Sequence, residues 1–191
     1  MANISNVEWW KAQEIPLTET VFTKVRKYFH KELPSASLKS CVYIIRLSPP
    51  FSVVYGQNCE VESPLIYVGS GNLIKRWGSH RKWLKDLGIA LPGARYELWF
   101  CQPTRKGPGA ATSYKDVEAD ILQWFNHNRT VEYLPLANKK LEKPKNQNSY
   151  PDNFYNKIVG LDTRYHWAIY PTRNPISNMY YKGGKSMPNV K

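Results

Sequence analysis

The chain has 191 residues, 42% hydrophobic and 14% aromatic, which suits one packed core with extensions and excludes a chain too polar to fold. Lys and Arg number 27 against 15 acidic residues, a formal net charge of +12. That balance favours phosphate polyanions as partners, with a merely soluble basic protein or one that binds an acidic protein as the alternatives. No apolar run reaches the roughly 20 residues of a membrane span, and Met1–Trp10 has neither the basic segment nor the apolar region of a secretory signal. Cys41, Cys59 and Cys101 lie far apart without CxxC spacing, and their odd number suits a reducing compartment. A soluble, cytoplasmic protein with no membrane partner is expected.

In chain order, residues 17–31 place Val21, Val25, Tyr28 and Phe29 at helical spacing and predict an amphipathic N-terminal helix, ended by Pro34. Cys41–Leu47 is a β-branched and aromatic run that reads as a buried strand, stopped by Pro49 and Pro50. Residues 51–64 read as a loop or an irregular hairpin arm. A second strand follows at Leu65–Val68, broken by Gly69-Ser70-Gly71. From Asn72, which like Ser70 is a candidate cap, Leu73, Trp77, His80, Leu84 and Leu87 form one stripe of an α-helix, with Gly88 and Pro92 marking its end. Arg95–Cys101 predicts a third strand.

A Gly- and Pro-rich link over 103–109 then leads to a helix that buries Val117, Ile121, Trp124 and Phe125. Residues 142–157 read as loop or extension, residues 165–170 as a further strand, and the last twenty as extended chain. The organisation expected is an N-terminal helical extension (1–39), a core (40–140) and a basic, aromatic C-terminal extension (141–191). The basic excess is densest in the extension, with eight basic against three acidic residues. Strands joined without a crossover helix pair antiparallel, so the fold class expected is α+β with a small three-stranded antiparallel sheet flanked by helices.

Several polar residues fall where the pattern expects apolar ones. Arg76 and His80 are four apart and share a helical face; His80 lies inside the apolar stripe and Arg76 on its edge. Glu118 sits beside the buried row of Leu122 and Phe125, whereas Asp116 and Asp120 fall on the opposite shoulder. Each has an ordinary structural explanation when taken singly: a buried histidine, a snorkelling arginine, a solvated glutamate. Lys75, Arg81, Lys82 and Lys85 line the exposed side of the same helix, either as a solvated face or as phosphate guides. Lys143, Lys145, Lys157 and Arg164, interleaved with Tyr150, Phe154 and Tyr155, offer the extension the same two readings.

Taken together, Val42-Tyr43-Ile44, then Tyr67-Val68-Gly69-Ser70, then a helix bearing Arg76 and His80, resemble the GIY-YIG nuclease family. Cys41-Val42-Tyr43 stands where that family has Gly-Ile-Tyr, and Tyr67-Val68-Gly69 where it has Tyr-Ile-Gly. Glu118 on the later helix and Asn138 in Leu136–Lys140 continue the resemblance, which covers about residues 40–140. The first motif lacks its glycine, and the segment between the motifs is longer than the family's tight hairpin, as an inserted substrate-contacting loop would be.

The resemblance implies an endonuclease that hydrolyses phosphodiester bonds in DNA, expected to be double-stranded, with one Mg2+ or Mn2+ ion per active site held by Glu118. Tyr43 or Tyr67 would take the proton of the attacking water, with His80 as a relay. Arg76 would neutralise charge on the phosphate, and Asn138 would support the site near the scissile group. The reading is of a free-standing, restriction-type or phage-type enzyme that cuts both strands as a homodimer or in two encounters. The alternatives are an inactive nucleic-acid-binding protein on the same scaffold and a basic protein-interaction domain in which Tyr43, Tyr67 and His80 are core.

Overall fold

The computed structural model describes residues 2–5, 9–12, 14–29, 37–55, 61–106, 114–127, 134–141, 143–145, 148–151, 154–159, 167–170 and 180–183. Its strands are β1 (Ala2–Ser5), β2 (Trp10–Lys11), β3 (Ile15–Pro16), β4 (Cys41–Leu47), β5 (Phe51–Tyr55), β6 (Val61–Ser63), β7 (Leu65–Gly71), β8 (Arg95–Cys101), β9 (Thr104–Lys106), β10 (Asn148–Ser149), β11 (Trp167–Tyr170) and β12 (Tyr180–Gly183). The helices are α1 (Phe22–Val25), α2 (Leu73–Ala90), α3 (Tyr114–His127) and α4 (Phe154–Val159). Of the expectations above, the role of Arg164 and nearly all of the last twenty residues fall outside the described residues.

The run Cys41–Leu47 is buried along its whole length, so its backbone must find partners on both edges. It does so antiparallel, with β7 on one side and β8 on the other. This three-stranded centre matches the expected α+β class, and β2 and β3 extend it by pairing with the outer edge of β8. Within 51–64, β5 and β6 pair antiparallel, as the hairpin-arm alternative expects, and β11 joins β5 in parallel. A third, small sheet runs β10-β1-β9. No helix among the described residues is long and apolar enough to cross a membrane.

Two expectations about where elements begin and end need correction. The helix predicted over 17–31 shrinks to the four residues of α1 and a 3-10 turn at Arg26–Tyr28. The backbone before it is already committed to the sheet: Ala12 N–H donates to the Leu98 carbonyl and Leu17 N–H to the Ala94 carbonyl. Val21 then enters the helix extended, without a side-chain cap, so only a stub is left to coil. Strand β7 likewise does not break at Gly69. It continues to Gly71 because Gly69, Ser70 and Gly71 pair with Tyr43, Val42 and Cys41.

Helix α2 follows the sequence pattern closely. Asn72 caps it, its side chain accepting from Lys75 N–H at 3.0 Å, and Leu73, Trp77, His80, Leu84 and Leu87 are its buried residues. Gly88 is not its stop. A Cβ there would meet the Leu17 Cβ and carbonyl at 3.2 Å, so glycine lets the helix pass close to the N-terminal segment while it continues to Ala90. On α3, Val117, Ile121 and Phe125 are buried as expected. Trp124 instead turns towards the extension and stacks on Tyr155 at 4.8 Å.

Phe100, on β8, is fully buried between Trp10 and Phe29, with ring centroids 6.0 and 5.7 Å away. Phe100→Ala is expected to destabilise the protein by about 3–5 kcal/mol, seen as a lower urea midpoint with an unchanged slope.

Candidate active site

Residues opposite one another in an antiparallel pair share a face of the sheet. The register Tyr43↔Gly69 and Ile45↔Tyr67 therefore raises both tyrosines on the same face, their rings 5.9 Å apart. Gly69 makes this close approach possible. A Cβ at that position would lie 2.8 Å from the Tyr43 Cζ and Oη and 2.6 Å from the Tyr67 Cε1. The phenols thus rest against bare backbone, where no larger residue leaves them room.

Helix α2 lays His80 over this pair. Its Nε2 is 2.8 Å from the Tyr43 Oη, its ring is 4.6 Å from that of Tyr67, and it is 3% exposed. The indole of Trp83, half-buried one turn further along, donates from Nε1 to His80 Nδ1 at 3.3 Å. One turn earlier, Arg76 is exposed, and its guanidinium faces Tyr43, Tyr67 and Glu118. Glu118, half-buried on α3, accepts a 2.6 Å hydrogen bond from the Ser70 hydroxyl. Two strands and two helices thus bring Tyr43, Tyr67, Arg76, His80 and Glu118 into one electrostatic neighbourhood.

Burial dominates the acid–base character of the group. It raises the Tyr43 phenol, with the neighbouring Tyr67 adding to the rise and Arg76 opposing it. It raises Tyr67 as well, with Glu118 adding and Arg76 opposing. For Arg76, desolvation works against the charge, but the phenols and Glu118 outweigh it and its pKa goes up. Desolvation, assisted by the nearby Arg76 charge, lowers His80 to about 4. At neutral pH the interior of the site is therefore uncharged, and the ions stand at its rim.

Asn138 lies beside the outer edge of β7. Its amide pairs with the backbone of Val68: Oδ1 accepts from the Val68 N–H at 2.9 Å and Nδ2 donates to the carbonyl at 2.8 Å. Asn138 thereby holds the strand residue between Tyr67 and Gly69. Lys75, Arg81, Lys82 and Lys85 are exposed along α2, the helix that carries Arg76. Lys143 and Lys145 are exposed on the extension, where the Lys145 N–H donates to Asp116.

The residues that sequence reasoning missed are Ser70 and Trp83. Each had a faint signal, Ser70 in following the Tyr-Val-Gly turn and Trp83 in lying three residues after His80 on the same helical side. As a cation site, the group offers the Glu118 carboxylate with the Ser70 hydroxyl beside it. No cluster of three or more His, Cys, Asp or Glu occurs among the described residues. That donor set does not suit a zinc cage, but it fits magnesium, which keeps several waters and uses one or two carboxylates with substrate phosphate. In comparisons with known proteins, no family model, no curated protein and no solved structure matches the chain.

Two measurements check this geometry. Unfolded, His80 takes up its proton near 6.5, whereas the folded site resists protonation until about 4. The unfolded state therefore binds more protons between those values, and stability falls as pH drops through that window. By NMR, the His80 ring should show no titration between pH 5.5 and pH 8 (about one and a half units above its folded value and beyond). Gly69→Ala should leave secondary structure intact by circular dichroism while displacing the Tyr43 ring, seen as loss of the Tyr43–His80 nuclear Overhauser contacts.

Proposed function

We propose that the protein is a metal-dependent endonuclease of the GIY-YIG type, hydrolysing phosphodiester bonds in double-stranded DNA. The observation that carries this reading is the convergence of Tyr43 and Tyr67 from paired strands, Arg76 and His80 from one helix and Glu118 from another. Each alone is an ordinary structural residue. Together they set a cation, a carboxylate and two phenols against one another around a buried histidine, an arrangement that core packing does not require.

On this reading Arg76, the exposed cation of the group, receives the scissile phosphate and opposes the negative charge that grows on its oxygens. A water attacks phosphorus in line, so that the new P–O bond forms as the bond to the 3′ oxygen breaks. Burial holds both phenols neutral at rest; Arg76 opposes that effect in each, and an ion held at Glu118 would add its own positive charge, so that Tyr43 or Tyr67 can take the proton of the water. A magnesium or manganese ion held at Glu118 would supply positive charge for a phosphate oxygen and for the leaving oxygen. Asn138 acts at one remove, by fixing the Val68 backbone that sets the height of Tyr67. The exposed Lys75, Arg81, Lys82 and Lys85 continue the positive surface outward from Arg76 along the DNA backbone, and a homodimer would bring two such sites to the two strands.

The test is cleavage of plasmid DNA by the purified protein with magnesium, with and without chelator. Arg76→Ala and Glu118→Ala are each expected to slow cutting on the order of 100- to 1000-fold while leaving the thermal unfolding profile in place. Cleavage by either variant at the wild-type rate overturns the assignment. Salt-sensitive DNA binding without any cleavage favours instead a binding protein on this scaffold.

A further inference from the structure

The hydrogen-bond partners of His80 determine which of its nitrogens carries the proton. An indole N–H can only donate, so the 3.3 Å contact from Trp83 Nε1 requires His80 Nδ1 to be an acceptor. A neutral imidazole with a bare Nδ1 carries its hydrogen on Nε2. The 2.8 Å contact between Nε2 and the Tyr43 Oη is then donated by the histidine and accepted by the phenol. Because the Tyr43 oxygen accepts from His80, its own hydroxyl proton points away from the histidine, towards a side where Arg76 and the Tyr67 ring, 5.9 Å away, both act on it; a guanidinium can only donate, so Tyr67 is the neighbour left to accept.

We propose that Trp83 is a positioning residue that locks His80 in its Nε2–H tautomer and so gives the polar chain of the site a single direction. Donation runs from Trp83 to His80, from His80 to Tyr43, and from Tyr43 to Tyr67. Tyr67 stands at the accepting end, so its oxygen is the one whose ionised form the chain stabilises and whose own proton is free to leave. In the opposite tautomer Tyr43 would donate into His80, and the support for Tyr67 would vanish. The same contact argues against His80 as a proton relay, since the nitrogen that a relayed proton would have to reach is already occupied by the indole.

The catalytic part of this inference rests on the nuclease reading, but the tautomer does not, and the two are separable. The experiment is side-chain 15N NMR of the histidines in the full chain, with His80 assigned through His80→Gln, followed by the same measurement and plasmid cleavage on Trp83→Phe. The phenylalanine keeps an aromatic ring against Tyr67 and His80 and removes only the N–H. A bare Nδ1 and a protonated Nε2 are expected in the wild type. In Trp83→Phe, we expect a shift towards the Nδ1–H form, cleavage slowed on the order of 10-fold, the scale on which losing a histidine's orienting partner costs activity, and unchanged DNA affinity.

A wild-type His80 protonated on Nδ1 overturns the proposal, and that spectrum decides even if the variant does not fold. An unchanged tautomer in Trp83→Phe overturns it too, as does a changed tautomer with an unchanged cleavage rate. A wild type that shows the expected tautomer, loses it in Trp83→Phe and cuts no DNA supports the Trp83 assignment while overturning the nuclease reading.

Discussion

The pairing of Tyr43 with Gly69 across β4 and β7 is the constraint on which the rest of the site depends. Side chains alternate faces along a strand, so a slip of one residue would carry Tyr67 to the far side of the sheet and set Tyr43 against a residue with a Cβ. At the observed register a large ring lies opposite the one residue that offers no obstruction. Burial of every residue of β4 and its pairing on both edges leave that register no freedom. The polar site is held in place by a strand buried along its whole length.

The opposite face of the same sheet carries a second polar group that must be kept apart from the first. Arg46 lies over the Trp99 ring at 5.1 Å. Glu97 accepts from the Trp99 indole at 3.0 Å and meets Lys11 at 2.6 Å. There a buried carboxylate, Glu97, stands between two cations, Lys11 and Arg46, whereas around the phenols positive and negative groups stay at the rim and the interior is neutral. Alternation along β4, with Tyr43 on one side and Arg46 on the other, keeps the two systems a full sheet thickness apart. Helix α2 is pinned over the first face from both ends, by the Trp77 indole donating to the Thr20 carbonyl at 2.8 Å and by the close passage of Gly88 over Leu17.

The strands at 41–47 and 95–101 and the stripe of α2 were legible in the sequence because each is a local pattern, a continuous β-forming run or a repeat of three and four. The placement of His80 inside that stripe and of Glu118 beside the buried row of α3 could be read the same way, from helical phase. What escaped was long-range. The segment 17–31 has helical spacing, yet the backbone just before it is used by β8, and no local pattern shows that. Helical phase places Asp116 and Asp120 only on the shoulder opposite Glu118. In the structure they anchor the extension, Asp116 through the Lys145 N–H and Asp120 through Asn148 and Tyr150. Nothing near Asn138 in sequence indicates its partner Val68, seventy positions away.

Asn138 has one more consequence, for the outer margin of the sheet. Strand β7 ends the order β2-β8-β4-β7, and an unpaired strand edge is a template onto which a foreign chain can add. Here the Ala137 N–H takes the Ile66 carbonyl at 2.9 Å, and the Asn138 amide takes both backbone groups of Val68. A side chain thus imitates a neighbouring peptide and shields this margin from self-association beside the tyrosines. Any partner that joins this molecule by strand addition must do so elsewhere.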